Sequence, residues 1–370
     1  MTEARSRRLA VVLGGGGLKG FAHIGVIRAL DEMGVQPAVW AGTSIGALIS
    51  AARVGGMSVG EMEERAAALR RRDLFRLNRM EMILSRSRSA SIYQEEPLRE
   101  LCDDIVPHHR FDEIRQRLLV NTVDLERGSQ VVWGLPGLRD VPINEAVYAS
   151  CALPGFFPPG RVGNRVCIDG GTVDNLPVSV AGLGMDAIIA VDVGSTDLSP
   201  STDITTQGFA SIYMRAATCM MHALQQMPLD HWAGPPMMLI RPRVSSFGWF
   251  GFGNTKALVE EGYRAAKETL AFMDDAFNSA TGIYPRREIR VKVDPDRCIG
   301  CGMCVALAPD LMALGPHRKA FAKREIVNWG PSDGDFVHHC PTGAISTERS
   351  DPDQGAMPPA EGEEPNTATR

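Results

Sequence analysis

Two groups of residues in this sequence have the types and spacing to do chemistry. The first is Gly42-Thr43-Ser44-Ile45-Gly46, a G-x-S-x-G pentapeptide. Where such a run joins a strand to a helix, its glycines let the two elements approach closely. The serine Oγ is then lifted into the open, as a nucleophile for ester bonds requires. The second group is Cys298-Ile299-Gly300-Cys301-Gly302-Met303-Cys304, with Cys340-Pro341 further on. Three thiolates on one tight turn and a remote fourth can enclose an iron–sulfur cubane. Structural zinc is the competing reading, but it usually shows two separate ligand pairs.

A nucleophile needs an oxyanion site and a base. Gly14-Gly15-Gly16-Gly17-Leu18-Lys19-Gly20 follows a first predicted strand and opens a helix. It also satisfies G-x-G-x-x-G, but a dinucleotide site wants an acid about 20 residues on, at the end of the second strand. That place is Trp40-Ala41-Gly42, so the glycines read instead as an anion-binding loop with unobstructed backbone N–H groups. The histidines are poorly placed to act as base. His108 and His109 are in a polar segment, His222 is on an apolar helix, and His231 precedes a turn. His317, His338 and His339 belong to the cysteine-rich part, and His23 reads as packing. Cys167-Ile168-Asp169-Gly170-Gly171 offers a carboxylate at a strand end, which can deprotonate a serine directly when partly desolvated. Read locally, the same residues serve equally well as a plain Asp-Gly-Gly turn.

The elements that must position these groups alternate between strand and helix. Strands are predicted over 8–13, 37–42, 117–125, 130–133, 186–194 and 237–242, and helices over 21–34 and 46–56. Such alternation implies a mostly parallel sheet covered on both faces. Residues 61–88, with Arg70, Arg71 and Arg72 in a row, read as a solvated helical insertion or as a lid touching anionic lipid. The aromatic run 245–253 reads as core or loop packing. A new strand over 289–294 opens the cysteine-rich part. The acidic segment after about Ser350 carries no aromatic residue and reads as a disordered tail.

Apolar residues make up 44% of the 370 and charged residues 22%, the balance of a soluble globular protein. A net charge of −5 argues against nucleic acid as a partner. No apolar stretch approaches the roughly 20 residues that span a bilayer, and none reads as a secretion signal. The expected location is cytoplasmic, with peripheral contact at the inner membrane face as a variant. Cys102, Cys151, Cys167 and Cys219 are scattered and read as inert core residues.

Gly15–Gly20, Gly42–Gly46 and Asp169–Gly171, in that order and spacing, resemble the three signatures of patatin-like phospholipases over about residues 8–275. Ala22–Val26, Ala149–Pro159 and Asn175–Pro177 add to the likeness. The resemblance implies a three-layer α/β/α domain and a Ser–Asp dyad, with Ser44 as nucleophile, Asp169 as base and Gly15, Gly16 and Gly17 as oxyanion loop. Lys19 before Gly20 conforms to the family pattern. The substrate implied is a lipid or other acyl ester. Residues 289–348 resemble bacterial-type ferredoxins, small α+β domains. Ala308-Pro309 stands where two-cluster members carry another Cys-Pro, so one [4Fe–4S] cluster on Cys298, Cys301, Cys304 and Cys340 is implied. The expected domains are 1–283, 284–348 and a tail over 349–370. For the fused module, redox control, docking to a redox partner and structural support all stay open. The rival reading is an electron-transfer or partner-recognition protein whose first domain mainly binds lipid or acyl groups.

Overall fold

A computed structural model describes residues 7–78, 91–194, 204–206 and 208–349 of the protein. The tail after Ser350 and the tip of the Arg-rich stretch, 79–88, lie outside these residues. The chain divides into two units, one ending at Pro285 and one beginning at Arg286.

In the first unit, the apolar run Leu9–Leu13 is β1, buried along its whole length. It pairs in parallel with β2 (Val39–Thr43) and β7 (Ala187–Val191). The parallel set extends through β3 (Arg117–Asp124) on one side, and β8 (Met237–Ile240) and β9 (Ile283–Tyr284) on the other. Three further strands are antiparallel: β4 (Ser129–Trp133), β5 (Gly160–Val162) and β6 (Arg165–Asp169). The sheet order is β5-β6-β3-β2-β1-β7-β8-β9, with β4 also on β3.

Side chains of a strand alternate between faces, and β1 shows why its run is continuous. Val11 and Leu13 enter a core with α1 (Ala22–Glu32) and α2 (Ile45–Val54). Ala10 and Val12 enter a second core that includes Leu176 and Val178. Two cores on opposite faces make three layers, as a parallel sheet requires. The large core also takes in α3 (Val59–Ala68), α4 (Arg71–Leu74), α5 (Glu96–Ile105) and α6 (Ile143–Cys151). A short α7 (Val178–Ala181), a long α8 (Phe209–Asp230) and α9 (Thr255–Leu270) follow.

The second unit is small and antiparallel. β10 (Arg287–Val293) lies between β13 (Ile326–Trp329) and β14 (Ile345–Arg349), and β11 (Met312–Leu314) pairs with β12 (Ala320–Ala322). Its core holds Val291, Met312, Phe336 and Ile345 together with Cys298 and Cys304.

Candidate active site and cysteine loop

Ser44 is the one residue between β2 and α2, at φ 55° and ψ −127°. A side chain seldom adopts positive φ, and a residue held there stores on the order of 1–3 kcal/mol of strain. Close packing of the glycines enforces the bend. A Cβ on Gly42 would lie 2.4 Å from the Gly46 backbone, and one on Gly46 would lie 2.0 Å from the Leu13 carbonyl oxygen. Only hydrogen fits at either place. A bond that sequence reading missed adds to this: the Ser44 N–H donates to the Ser150 Oγ at 2.8 Å, and that hydroxyl donates to the Asn121 carbonyl at 2.6 Å. Ser150 lies on α6 and is fully buried. Its place within Ala149–Pro159 was visible in sequence, but its bonding to the elbow crosses elements and was not.

Asp169 arrives by strand register. β3 pairs with β2 up to Thr43↔Asn121 and then runs on through Thr122–Asp124. β6 pairs antiparallel with that overhang and descends along it, setting Asp169 opposite Thr122, one step from Asn121. Asp169 thus ends level with the end of β2, where Ser44 sits. The carboxylate is 5% exposed and accepts hydrogen bonds from the Gly171 N–H at 2.8 Å and from the Ser44 side chain. Burial raises its pKa to about 6, with those two hydrogen bonds working the other way.

The glycine loop leaves β1 on the same sheet edge. A Cβ on Gly15 would lie 3.2 Å from the Ser44 Cβ, so loop and elbow are in contact. The Gly14 and Gly15 amides already donate to Val191 O and Asn175 O, at 2.9 and 3.2 Å. Gly16 and Gly17 donate to no backbone oxygen among the described residues. Asn175 Nδ2 donates to the Gly15 carbonyl at 3.1 Å, holding the loop from below. Lys19 is buried, 6.0 Å from the Trp249 ring. A Cβ on Gly20 would strike Ile45, the residue after the nucleophile. A Cβ on Gly170 would meet Asn121, and one on Gly171 would meet Asn175.

His23 lies outside this group. It is fully buried and its Nε2 bonds the Gly14 carbonyl at 2.8 Å, while burial lowers its pKa to about 4. A buried neutral imidazole whose Nε2 is held by the backbone, with Nδ1 buried and unpartnered among the described residues, is a packing residue.

Ser44 and Asp169 open onto a cavity of about 340 Å³. Apart from Arg65, Asp73 and Asp104, its walls are largely apolar, formed by Leu48, Ile49, Met62, Leu74, Leu98 and Phe157 among others. The Arg-rich stretch therefore contributes one face of α3 and α4 to the wall. A capping box between Ser58 and Glu61 starts α3. The aromatic run contributes as well: Trp249 and Phe250 line the cavity, and Phe75 packs 5.1 Å from Phe250. Of the scattered cysteines, Cys102 and Cys167 are buried and Cys151 is in the cavity wall, whereas Cys219 is exposed on α8.

In the second unit, Cys298, Cys301, Cys304 and Cys340 line one small hollow. Gly300 and Gly302, at φ 70° and 79°, turn the chain between the first three. The Ala320 N–H donates to Cys298 Sγ at 3.4 Å, and the Ala344 N–H donates to Cys340 Sγ at 3.3 Å. Burial pushes the Cys340 thiol up, but the hydrogen bonds from Ala344, Thr342 and Ile345 outweigh it and leave the thiol below its ordinary value. Burial raises that of Cys304. No three or more His, Cys, Asp or Glu side chains among the described residues converge tightly enough to hold one metal ion. A multi-iron cluster takes one thiolate at each iron, so four sulfurs spaced around a hollow, with N–H groups aimed at them, fit it.

Residues 11–181 match the family described as patatin-like phospholipase, and residues 291–347 match the 4Fe-4S single cluster domain. An uncharacterized NTE family protein of Mycobacterium tuberculosis is 34% identical over 199 residues, 54% of this chain and 52% of that protein. A lysophospholipase of Emericella nidulans is 28% identical over 298 residues, 71% of this chain and 18% of its own length. Patatin-like phospholipase domain-containing protein 6 of Mus musculus is 29% identical, over 54% of this chain and 14% of that protein. The chain thus spans about half the mycobacterial relative's length and far less of the other two. By these matches the chain carries a patatin-like phospholipase domain at residues 11–181, followed by a 4Fe-4S single cluster domain at residues 291–347.

Proposed function

We propose that the protein is a serine lipid acyl hydrolase, of phospholipase A or esterase type, working through a Ser44–Asp169 dyad. The observation that carries this is that Ser44 and the buried Asp169 carboxylate line one largely apolar cavity, with the Ser44 side chain acting on that carboxylate. Asp169 takes the Ser44 hydroxyl proton as Oγ bonds to the ester carbonyl carbon. The Gly16 and Gly17 N–H groups stabilise the resulting oxyanion, each such donor being worth about 10²–10³ in rate. Collapse of the tetrahedral adduct breaks the ester C–O bond, and Asp169 returns its proton to the departing alcohol. Water then gives a proton to the same carboxylate, attacks the acyl-enzyme and releases the fatty acid, restoring Ser44. The cavity walls hold the acyl chain, which supports a lipid over a small polar ester.

For the second unit we propose one [4Fe–4S] cluster on Cys298, Cys301, Cys304 and Cys340, supported by their common hollow and the N–H donors to sulfur. When bound, such a cluster supplies a one-electron couple. Hydrolysis transfers no electron, so its role here is redox control of the hydrolase, docking to a redox partner or structural support of the second unit. We place the boundary between the two domains at Pro285–Arg286, two residues beyond the 283/284 expected from sequence, which keeps β9 whole in the first sheet.

A serine-directed fluorophosphonate probe, followed by a panel of lipid classes on anaerobically purified protein, tests the reading. Labelling that vanishes in Ser44→Ala, with fatty acid released from at least one lipid class, is expected. An unlabelled protein that binds lipid without turnover would leave the rival reading standing.

A further inference from the structure

A surface helix ordinarily buries its apolar stripe and shows its polar one to water. Helix α8 reverses this. Ile212, Met220, Leu224 and Met227 are 45%, 58%, 42% and 63% exposed, and Ala216 and Ala223 continue the same face. Their spacing repeats every three to four residues, so they form one stripe, about 22 Å long at the rise of an α-helix. No ionised side chain interrupts it. The buried side of the helix, by contrast, includes Thr218, Gln225 and Gln226.

The helix also borders the candidate active site. The Tyr213 ring is 6.2 Å from that of Phe156, which is 5.6 Å from Phe250 in the cavity wall. Met221, the next residue after Met220 and so turned about 100° away from it, has its Cε 3.6 Å from where a Gly171 Cβ would be. Gln225 accepts from Asn175 Nδ2 at 3.4 Å, and Asn175 in turn holds Gly15. Met221 and Gln225 thus set one side of α8 against the residues around the dyad, while Ile212, Met220, Leu224 and Met227 face water; Tyr213, at the N-terminal end of that outer face, packs on Phe156.

We propose that this face of α8 docks on a lipid surface, with the helix lying in the plane of the bilayer and the cavity facing the lipid. The inference rests on the hydrolase reading, because the occupant it names is the assembly that presents the ester. The chemistry of the stripe favours a fluid apolar phase over a protein. It has neither charge nor hydrogen-bonding group to set a register, and two of its four large members are flexible methionines. Exposed apolar patches next to a site mark such contacts, and a helix with one uncharged apolar face binds at a membrane interface in this way. No helix among the described residues is long and apolar enough to cross a membrane, so α8 lies on the surface and does not traverse it.

Flotation of the full chain with phosphatidylcholine vesicles, with and without phosphatidylglycerol, tests the proposal. The variants are Met220→Glu/Leu224→Glu and the milder Met220→Gln/Leu224→Gln. Leu183→Glu, another exposed leucine (64%) outside the stripe, is the control. The glutamate pair should lower vesicle binding about a hundredfold, roughly tenfold for each side chain withdrawn from the acyl region. Hydrolysis of vesicle phospholipid should fall in step, while hydrolysis of a short soluble ester and the melting temperature stay unchanged. The glutamine pair should fall between, and Leu183→Glu should match the parent. Unaltered vesicle binding in both pairs would overturn the proposal. So would a parent protein that is dimeric without vesicles and becomes monomeric in the pairs, since a second copy would then cover the face. A parent that binds vesicles through α8 but hydrolyses no ester would refute the hydrolase reading and leave the docking face in place.

Discussion

The serine elbow and the cysteine loop are both glycine-punctuated turns that present reactive side chains, yet they are held in opposite ways. At the elbow the surrounding fold leaves no freedom. A Cβ on Gly42 or Gly46 would strike backbone, β1 and β2 are buried, and the Ser44 amide is bonded to a side chain from another helix. The cysteine loop has little around it. Cys301 is exposed, and the buried cluster beside it is a handful of residues, two of which are Cys298 and Cys304 themselves. A large core can impose strain on a nucleophile and keep it there. A small core must take part of its stability from the group it binds, as metal-binding domains do. The first site should therefore survive loss of its reactive atom, and the second should not.

The largest effect tests the elbow. Ser44→Ala should abolish ester hydrolysis and probe labelling while leaving the melting temperature close to the parent's. Asp169→Asn should lower kcat by about 10²–10⁴-fold, the usual worth of a general base. A histidine substitution with the same effect, alongside an active Asp169→Asn, would refute the dyad.

Next comes the cysteine loop, where iron content is the measurement. Anaerobically purified protein should hold about four irons per chain. Cys301→Ser should lose most of them and should also unfold the second unit at a lower temperature, while Cys102→Ser should keep its iron. If Cys301→Ser lost its iron without destabilising that unit, the contrast drawn above would fail. Zinc in place of iron would refute the cofactor.

A smaller effect follows from Asp169 titrating near pH 6. The proposed base works as carboxylate, so kcat/KM should be level above pH 7 and fall about tenfold for each unit below the pKa. The raised pKa also means that the folded state binds this proton more tightly than the unfolded chain. Between the ordinary carboxylate value and pH 6, this group's contribution to stability therefore falls as pH rises. An activity that stays level down to pH 5 would show that Asp169 is not the base.

Much of this arrangement was legible in the sequence, and the parts that were not share a cause. Ser44, Asp169 and the glycine loop sit in short motifs whose types are dictated by local geometry, and the apolar runs at 9–13, 39–43 and 187–191 announce a buried parallel sheet. Hidden from it were features that depend on register across the sheet. The overhang of β3 beyond β2 brings Asp169 level with Ser44, and no pattern within either strand encodes that offset. Equally unreadable was the use of the Gly15 amide by Asn175, which leaves Gly16 and Gly17 as the proposed donors of the loop. The inverted face of α8 escaped for another reason: periodicity finds an apolar stripe but does not say whether it points to the core or to water.

The finest test separates packing from hydrogen bonding at the elbow. Glycine contacts alone can fix the backbone at Ser44, or the Ser150 hydroxyl is needed to fix its last few degrees. Ser150→Ala leaves a buried N–H without its acceptor and the Asn121 carbonyl without a donor. An unmet buried group costs about 1–3 kcal/mol. Near 1.4 kcal/mol, that becomes about tenfold in rate if the elbow relaxes to recover it. Turnover should therefore fall about tenfold with KM unchanged, because Ser150 does not line the cavity. Ser150→Thr keeps the hydroxyl and should recover most of the rate. A purely structural role would predict something else: a lower melting temperature in Ser150→Ala, with normal kcat and probe-labelling rate for the folded protein. That outcome would mean that the glycines hold the nucleophile without help.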